Sequence, residues 1–184
     1  MRIPFLTERL RLRDIREPDA GPLLELDSDP KVMRYIGTRP SDSVDWYRER
    51  IRNVYLPWQE HAWQGIWIVE SLSDNMFLGW TFIRPAHLHA NADALGWQPN
   101  QVEIGYRFHS TAWGRGIATE AGLLLVDRAL ADPAIHAIVG CAVATNLSSI
   151  RVLEKLGLHR EGETMIADHP EPIVKLVRWK APHG

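Results

Sequence analysis

The residues Val102 to Ala121, VEIGYRFHSTAWGRGIATEA, carry the chain's most suggestive chemistry. An alternating stretch leads into a turn with Gly114 and Gly116 and then into an apolar run, the order strand, turn, helix. That order suits an anion. Glycines let the backbone approach a ligand closely, and the unpaired N–H groups at a helix start, helped by the helix dipole, favour a phosphate. A Gly-x-Gly pair serves equally well as a tight turn before a helix, and taken alone it does not separate the two. Other chemistry-bearing residues carry less. His87 and His89 form His-x-His, but a zinc site needs three or four ligands and no further ligand cluster is evident, so no metal is expected. His109 and His136 fall at strand positions and read as structural histidines, and Cys141, inside an apolar strand, reads as inert core.

The elements that must position this stretch alternate between strand and helix. A strand is expected at Arg9 to Ile15, with charges alternating with leucines on one wet face, and then a helix through Leu23, Leu24 and Leu26 with Pro18 in its first turn. A second short helical piece follows Asp29-Pro30. Ser43 to Gln59 reads as one longer helix. Gly65 to Glu70 and Met76 to Arg84 read as strands joined by the hairpin turn Ser73-Asp74-Asn75, and His87 to Asn100 as a loop. A fourth strand runs over Val102 to Phe108, its apolar positions alternating with Glu103, Gly105 and Arg107 on a polar face. Ile117 to Leu130 is a buried helix, Ile135 to Val143 a strand, and a further helix opens at the N-cap Asn146 and ends at Gly157. Leu158 to Ile166 and Ile173 to Trp179 close the chain as strands paired across Asp168-His169-Pro170. The pattern is a mixed α/β chain.

Composition narrows the class. At 184 residues with 45% hydrophobic and 24% charged residues, one globular domain over residues 1–184 is expected, large enough to need no disulfide or structural metal. A single cysteine excludes an intramolecular disulfide and suits a reducing cytoplasm. The opening Met1 to Leu6 meets Thr7, Glu8 and Arg9 at once, leaving no room for a signal-peptide core, and the longest mostly apolar stretch, Ala134 to Ala144, is far too short to span a bilayer. A net charge of −2 supplies no field to recruit nucleic acid or an anionic membrane. Eight tryptophans are unusual for this length, and Trp46, Trp58, Trp63, Trp67, Trp80 and Trp97 are candidates for a pocket wall, a homodimer contact or core packing.

With these residues in place, a family resemblance follows. Trp113-Gly114-Arg115-Gly116-Ile117-Ala118 resembles motif A of the GNAT superfamily of acetyl-coenzyme A dependent N-acetyltransferases, in which Gln or Arg is followed three residues later by Gly and two residues after that by Gly or Ala. Trp113 departs from the first position. Trp-Gly-Arg-Gly followed by Ala118-Thr119-Glu120-Ala121 looks instead like the Rim-type branch, which includes ribosomal-protein N-terminal acetyltransferases. The opening Thr7-Glu8-Arg9-Leu10-Arg11-Leu12-Arg13, the Asp29-Pro30 helix, and Asn146-x-x-Ser149 with Arg151 to Leu158 after the strand Ile135 to Val143 extend the likeness over nearly the whole chain.

The resemblance implies a single-domain α/β GNAT fold, whose mixed, mostly antiparallel central sheet splays between its fourth and fifth strands and is flanked by helices. It implies acetyl-coenzyme A as co-substrate, its pyrophosphate held without a metal by main-chain donors of Gly114, Arg115, Gly116, Ile117, Ala118 and Thr119. Tyr106, Arg107 and Phe108 would lie beside the pantetheine arm, with a backbone N–H near Phe108 for the thioester oxygen. An ammonium with a pKa of about 10 must lose a proton before attack, and Glu103 is the candidate base, directly or through water. Its competing reading is a polar-face glutamate paired with Arg107. Ser149 is the candidate donor to the leaving thiolate, Leu153 standing where other members carry a tyrosine, and Asn146 a cofactor contact. A covalent route through Cys141 is not expected. The acceptor is a primary amine, either a protein or peptide α-amine or a small molecule. Its pocket is expected between Gly37 to Trp63 and His87 to Asn100, with Trp97 and Trp63, beside Trp46 and Trp58, as walls. The alternative is a non-catalytic coenzyme A binding or sensing module on the same fold.

Overall fold

A computed structural model describes residues 2–36, 41–59, 63–167 and 169–181. The chain packs as two compact units, residues 1–82 with 106–121 and residues 83–105 with 122–184.

In the first unit β1 (Phe5–Leu6), β2 (Leu10–Asp14) and β3 (Gly65–Ser71) pair antiparallel in sequence order, Leu12 opposite Phe5 on one side and Val69 on the other. β2 fulfils its alternating pattern: Leu10 and Leu12 are fully buried, while Arg13 turns to Glu70 and Asp19. β1 was not foreseen, because two residues are too few to show a period. Pro18 lies in a 3-10 turn (Glu17–Asp19) before α1 (Ala20–Ser28), and Asp29 caps α2 (Pro30–Met33) by accepting from the Lys31 N–H at 2.9 Å. The expected long helix at Ser43 to Gln59 divides into α3 (Val44–Arg50), a π-helical turn (Ile51–Tyr55) and a 3-10 turn (Leu56–Trp58), Pro57 having no N–H to continue an α ladder. Ile15, Leu23, Leu26, Tyr47, Ile51, Ile66, Ile68 and Trp80 form the core here. Each large aliphatic side chain buried this completely contributes roughly 1.5–3 kcal/mol over an exposed one.

β4 (Phe77–Pro85) and β5 (Gln101–Phe108) run through both units, so the sheet continues in the order β1-β2-β3-β4-β5-β6-β8-β7. The His109 N–H donates to the Leu78 carbonyl at 3.0 Å, and Gly79 makes the close approach possible: a Cβ there would stand 2.2 Å from the Arg107 carbonyl oxygen. The stretch expected as a loop before β5 contains a 3-10 turn (Ala86–Leu88) and α4 (Ala92–Leu95), which ends on left-handed Gly96.

In the second unit β5 pairs parallel with β6 (Ala137–Val143) from Gln101↔Ala137 to Glu103↔Val139, and the paired stretch ends there, five residues short of the end of β5. β6 pairs antiparallel with β8 (Ile173–Trp179), and β8 with β7 (His159–Thr164), which carries a bulge between Arg160 and Gly162. Asp168 of the expected turn between these last strands lies outside the described residues. α5 (Ile117–Ala131) buries Ala121, Leu125, Val126 and Ala129, and α6 (Leu147–Lys155) buries Ile150 and Leu153. α6 seats closely because Gly140 of β6 leaves room for Leu153, whose Cδ2 would otherwise lie 2.8 Å from an added Cβ. Among the described residues no helix is long and apolar enough to cross a membrane.

Candidate functional site

The glycine turn lies in the first unit. Gly114 and Gly116 both take positive φ, 70° and 77°, a left-handed backbone that side-chain-bearing residues rarely adopt, and α5 begins at Ile117 immediately after. Gly114, Arg115 and Gly116 are exposed, Ile117 is buried, and Ala118 and Thr119 are half-buried on the first turn of the helix. Trp113, the residue that breaks the expected pattern, has a definite role: its indole Nε1–H donates to the Phe108 carbonyl at 2.9 Å and ties the turn back to the end of β5.

Residues just before β2 brace the same turn and the helix it opens. The Arg9 guanidinium donates to the Arg115 carbonyl at 3.0 Å and forms an ion pair with Glu120 at 2.5 Å, while the Thr7 hydroxyl donates to Glu120 at 2.5 Å. Burial would raise the Glu120 carboxyl, but these donors from Thr7 and Arg9 outweigh it and hold the group below the usual carboxylate range. A cavity of about 430 Å³ opens beside the turn, with Arg9, Leu10, Leu78, Arg115 and Ile117 in its walls.

At the end of β5 the Tyr106 and Phe108 rings lie 6.3 Å apart. Arg107 donates to Asp27 at 2.5 Å and lies over the Trp80 ring at 5.2 Å, so it is taken by α1 and is not the partner of Glu103. Asp27 also accepts from the Tyr47 hydroxyl at 3.0 Å, and burial raises that phenol above its usual range.

Glu103 lies in the second unit and is not on a wet face. Only 5% of it is exposed, and the side chains of Arg84 and His89 lie against it on the face that the alternation had suggested was wet. Arg84 of β4 donates to its Oε2 through Nε at 2.7 Å and brings Nη2 to 2.7 Å of the same oxygen as an ion pair, and His89 Nε2 stands 3.9 Å from Oε1. Burial pushes the carboxyl up to about 6 against the opposing pull of Arg84, which leaves it mostly ionised at neutral pH yet able to hold a proton close to the working range. The Cys141 thiol, pushed up to about 12 by burial and the charge of Glu103, is no nucleophile.

The remaining expected residues divide by element. The Asn146 side chain accepts from the Ser149 N–H at 3.2 Å and from the Ser148 hydroxyl at 2.9 Å, which makes it the N-cap foreseen and leaves Ser149, half-buried, on the first turn of α6. Trp97 and Trp63 are buried and do not offer a broad face to solvent: Trp97 packs edge-on against the His89 ring with centroids 5.0 Å apart, and the Trp63 carbonyl accepts from Trp67 Nε1 at 3.0 Å. Residues 37–40 and 60–62 of the expected acceptor segment lie outside the described residues. Trp46 is partly exposed and Trp58 half-buried against Tyr55 and Phe82.

Arg84, His89 and Asp27 escaped the sequence reading as site residues. Arg84 and Glu103 are brought together by the register of two strands that no short hairpin joins, and the sequence holds no signal for that register. The spacing of His87 and His89 drew attention to the right segment for the wrong reason, since His87 is exposed while His89 turns toward Glu103.

Comparison with known proteins places this geometry in context. Residues 9–159 match the family model described as acetyltransferase (GNAT) domain. The chain is 27% identical to the uncharacterized N-acetyltransferase p20 of Bacillus licheniformis over 93% of its own length and 89% of the relative's. Among solved structures it is similar to the GNAT-family acetyltransferase from Bacillus anthracis, with a TM-score of 0.77, 21% identity, and coverage of 97% of this chain and 99% of that one. It is also similar to the ribosomal-protein-S5-alanine acetyltransferase from Vibrio fischeri, with a TM-score of 0.74, 17% identity and 98% of both chains covered.

Proposed function

The chain belongs to the GNAT acetyltransferase family and is an N-acetyltransferase, and from that premise we propose that it moves the acetyl group of acetyl-coenzyme A directly onto a primary amine while both substrates are bound, as one domain over residues 1–184. The observation that carries this reading is the exposed left-handed turn Gly114 to Gly116 opening the 15-residue helix α5. Its backbone donors suit a pyrophosphate without a metal ion, and at Gly116 only the tip of Arg9, 3.6 Å away, would meet an added Cβ, so a ligand has access to the main chain.

In the transfer, the amine nitrogen forms a bond to the acetyl carbon as the carbon–sulfur bond breaks. The proton lost by the amine passes to Glu103; because that carboxylate is buried, a water relay carries it. Ser149 gives a proton or hydrogen bond to the departing thiolate, and Tyr106 to Phe108 line the pantetheine arm. Trp97 and Trp63 act on the acceptor side by packing the segments that hold it. The Trp-Gly-Arg-Gly turn, with its resemblance to the Rim-type branch, favours the α-amine of a protein or peptide as acceptor, with a small-molecule amine as the other reading.

The test is thiol release from acetyl-coenzyme A over a panel of N-terminal peptides, polyamines and amine-bearing antibiotics. Turnover is expected with at least one class, and with peptides above the rest. Tight coenzyme A binding with no turnover on any amine would replace the enzyme by a sensing module.

A further inference from the structure

Glu103, His89 and Cys141 offer one ligand-type atom each within 4.8 Å of one another, a constellation that invites a metal ion. The hydrogen bonding points elsewhere. His89 Nδ1 accepts from the Asn91 backbone N–H at 3.0 Å. A ring nitrogen that accepts is unprotonated, so in the neutral imidazole the proton sits on Nε2, the atom that faces Glu103. Nε2 is thereby a donor and not a ligand. Arg84 occupies Oε2 of the same carboxylate with its Nε–H and its charge, and the Cys141 thiol keeps its proton. Arg84, His89 and Cys141 thus face the carboxylate as a cation and two donors, an arrangement that serves an anion.

Resting on the reading of Glu103 as the base, we propose that His89 is its positioning residue: a neutral ring held as the Nε2–H tautomer by Asn91, it turns an N–H dipole toward Oε1 while Arg84 fixes Oε2, so that the carboxylate keeps one orientation and stays ionised. The titratable and charged groups facing Glu103 are Arg84 from β4, His89 from the segment after the Ala86–Leu88 turn and Cys141 from β6. Trp97 completes the support. Its ring meets the imidazole edge-on at 76°, and at 6% exposure it is anchored firmly enough to restrain the rotation of His89. Burial and the nearby Arg84 charge keep the imidazole neutral by pushing it down to about 4. The 3.9 Å separation is longer than a hydrogen bond, so the contribution is a charge–dipole attraction of modest size.

Two measurements test this. Nitrogen-15 NMR of the histidine side chains in the intact protein should show one neutral ring protonated on Nε2 and unchanged down to about pH 5.5; an Nδ1–H tautomer or an imidazolium at pH 6 overturns the proposal without any variant. For activity, the pH profile of kcat/KM for the amine is compared across variants at saturating acetyl-coenzyme A. Loss of the dipole destabilises the anion, raises the carboxyl pKa and moves the acid limb upward. His89→Phe should shift that limb by about half a pH unit, roughly a threefold loss on the limb, with the KM for acetyl-coenzyme A unchanged. His89→Gln, which keeps an N–H donor, should restore most of the shift.

Superimposable profiles for His89→Phe and the parent overturn the proposal, provided Glu103→Gln abolishes the limb. If the limb survives in Glu103→Gln, the base assignment itself has failed and the proposal goes with it. A merely structural role for His89 would lower the rate evenly at every pH and is thereby told apart.

Discussion

Removing the titrating ring of His89 should make the protein more resistant to acid, and the size of the effect follows from its surroundings. In the unfolded chain the imidazole titrates near 6.5; in the fold, burial first and Arg84 second bring it down to about 4. The unfolded state therefore binds the extra proton between those two values, and stability falls as pH drops through that window and is then flat. The full loss is about 3.4 kcal/mol, of which about 2.5 kcal/mol is reached by pH 4.5. The side chain is only 19% exposed, so solvent screens little of this. Glu103 works in the opposite direction: its carboxyl is raised in the fold to about 6, so its contribution grows as pH falls from about 6 toward 4.5. It is present in parent and variant alike and cancels from their comparison. Urea unfolding of the parent and His89→Gln at pH 7.5 and pH 4.5 gives four free energies, and the variant should lose about 2.5 kcal/mol less than the parent between the two pH values. Equal acid losses would refute the reasoning, since the ring would then hold an ordinary pKa inside the fold.

Three further outcomes are expected. Glu103→Gln should lower turnover at neutral pH by about 100-fold or more, with the deficit narrowing at high pH where the amine deprotonates unaided; a constant ratio across pH, read in steady-state assays, would exclude a base at this position. Ser149→Ala should slow transfer while calorimetry finds coenzyme A affinity nearly intact, and parallel losses of both would make the serine a cofactor contact instead. Gly116→Asp should weaken coenzyme A binding at least about tenfold in calorimetry, because it puts a carboxylate on a left-handed residue of φ 77° at the turn meant for the pyrophosphate, and unchanged affinity would move the cofactor elsewhere.

What the sequence disclosed and what it withheld divide along the range of the interactions involved. The turn at Gly114 to Gly116, the cap at Asn146 and the strand at Arg9 to Ile15 are written in residues a few positions apart, where backbone conformation and period are local properties. Glu103 shows the limit. Alternation within β5 assigned it to a solvated face because a single strand's pattern carries no information about what packs on that face; the side chains of Arg84 and His89 lie against it, and an apparently polar position became a buried one. Its partner was misassigned for the same reason, Arg107 being near in sequence while Arg84 is near in space. Trp97 and Trp63 were expected as walls of an acceptor pocket from their place in the segments before β5, and position along the chain does not say which face of a ring another side chain has already covered.

The wide turn at Ile51 to Tyr55 has a consequence for chain length. The Leu56 N–H bonds to the Ile51 carbonyl, five residues back, so this turn holds one residue more than the α-helical turn it replaces. Deleting a single residue there would let ordinary α geometry resume with the downstream residues still on the faces they now hold, because the wide turn has already absorbed the extra residue, whereas a deletion within α3 before it would rotate everything downstream by about 100° around the helix axis. Trp58, 5.6 Å from Tyr55 and 6.0 Å from Phe82 between ring centres, would keep these neighbours in the first case and swing away from them in the second. Loss of one residue at this point thus acts as a shortening and not as a rotation, which makes Ile51 to Tyr55 the place in this helical run where chain length can change by one while the aromatic contacts of Trp58 keep their register.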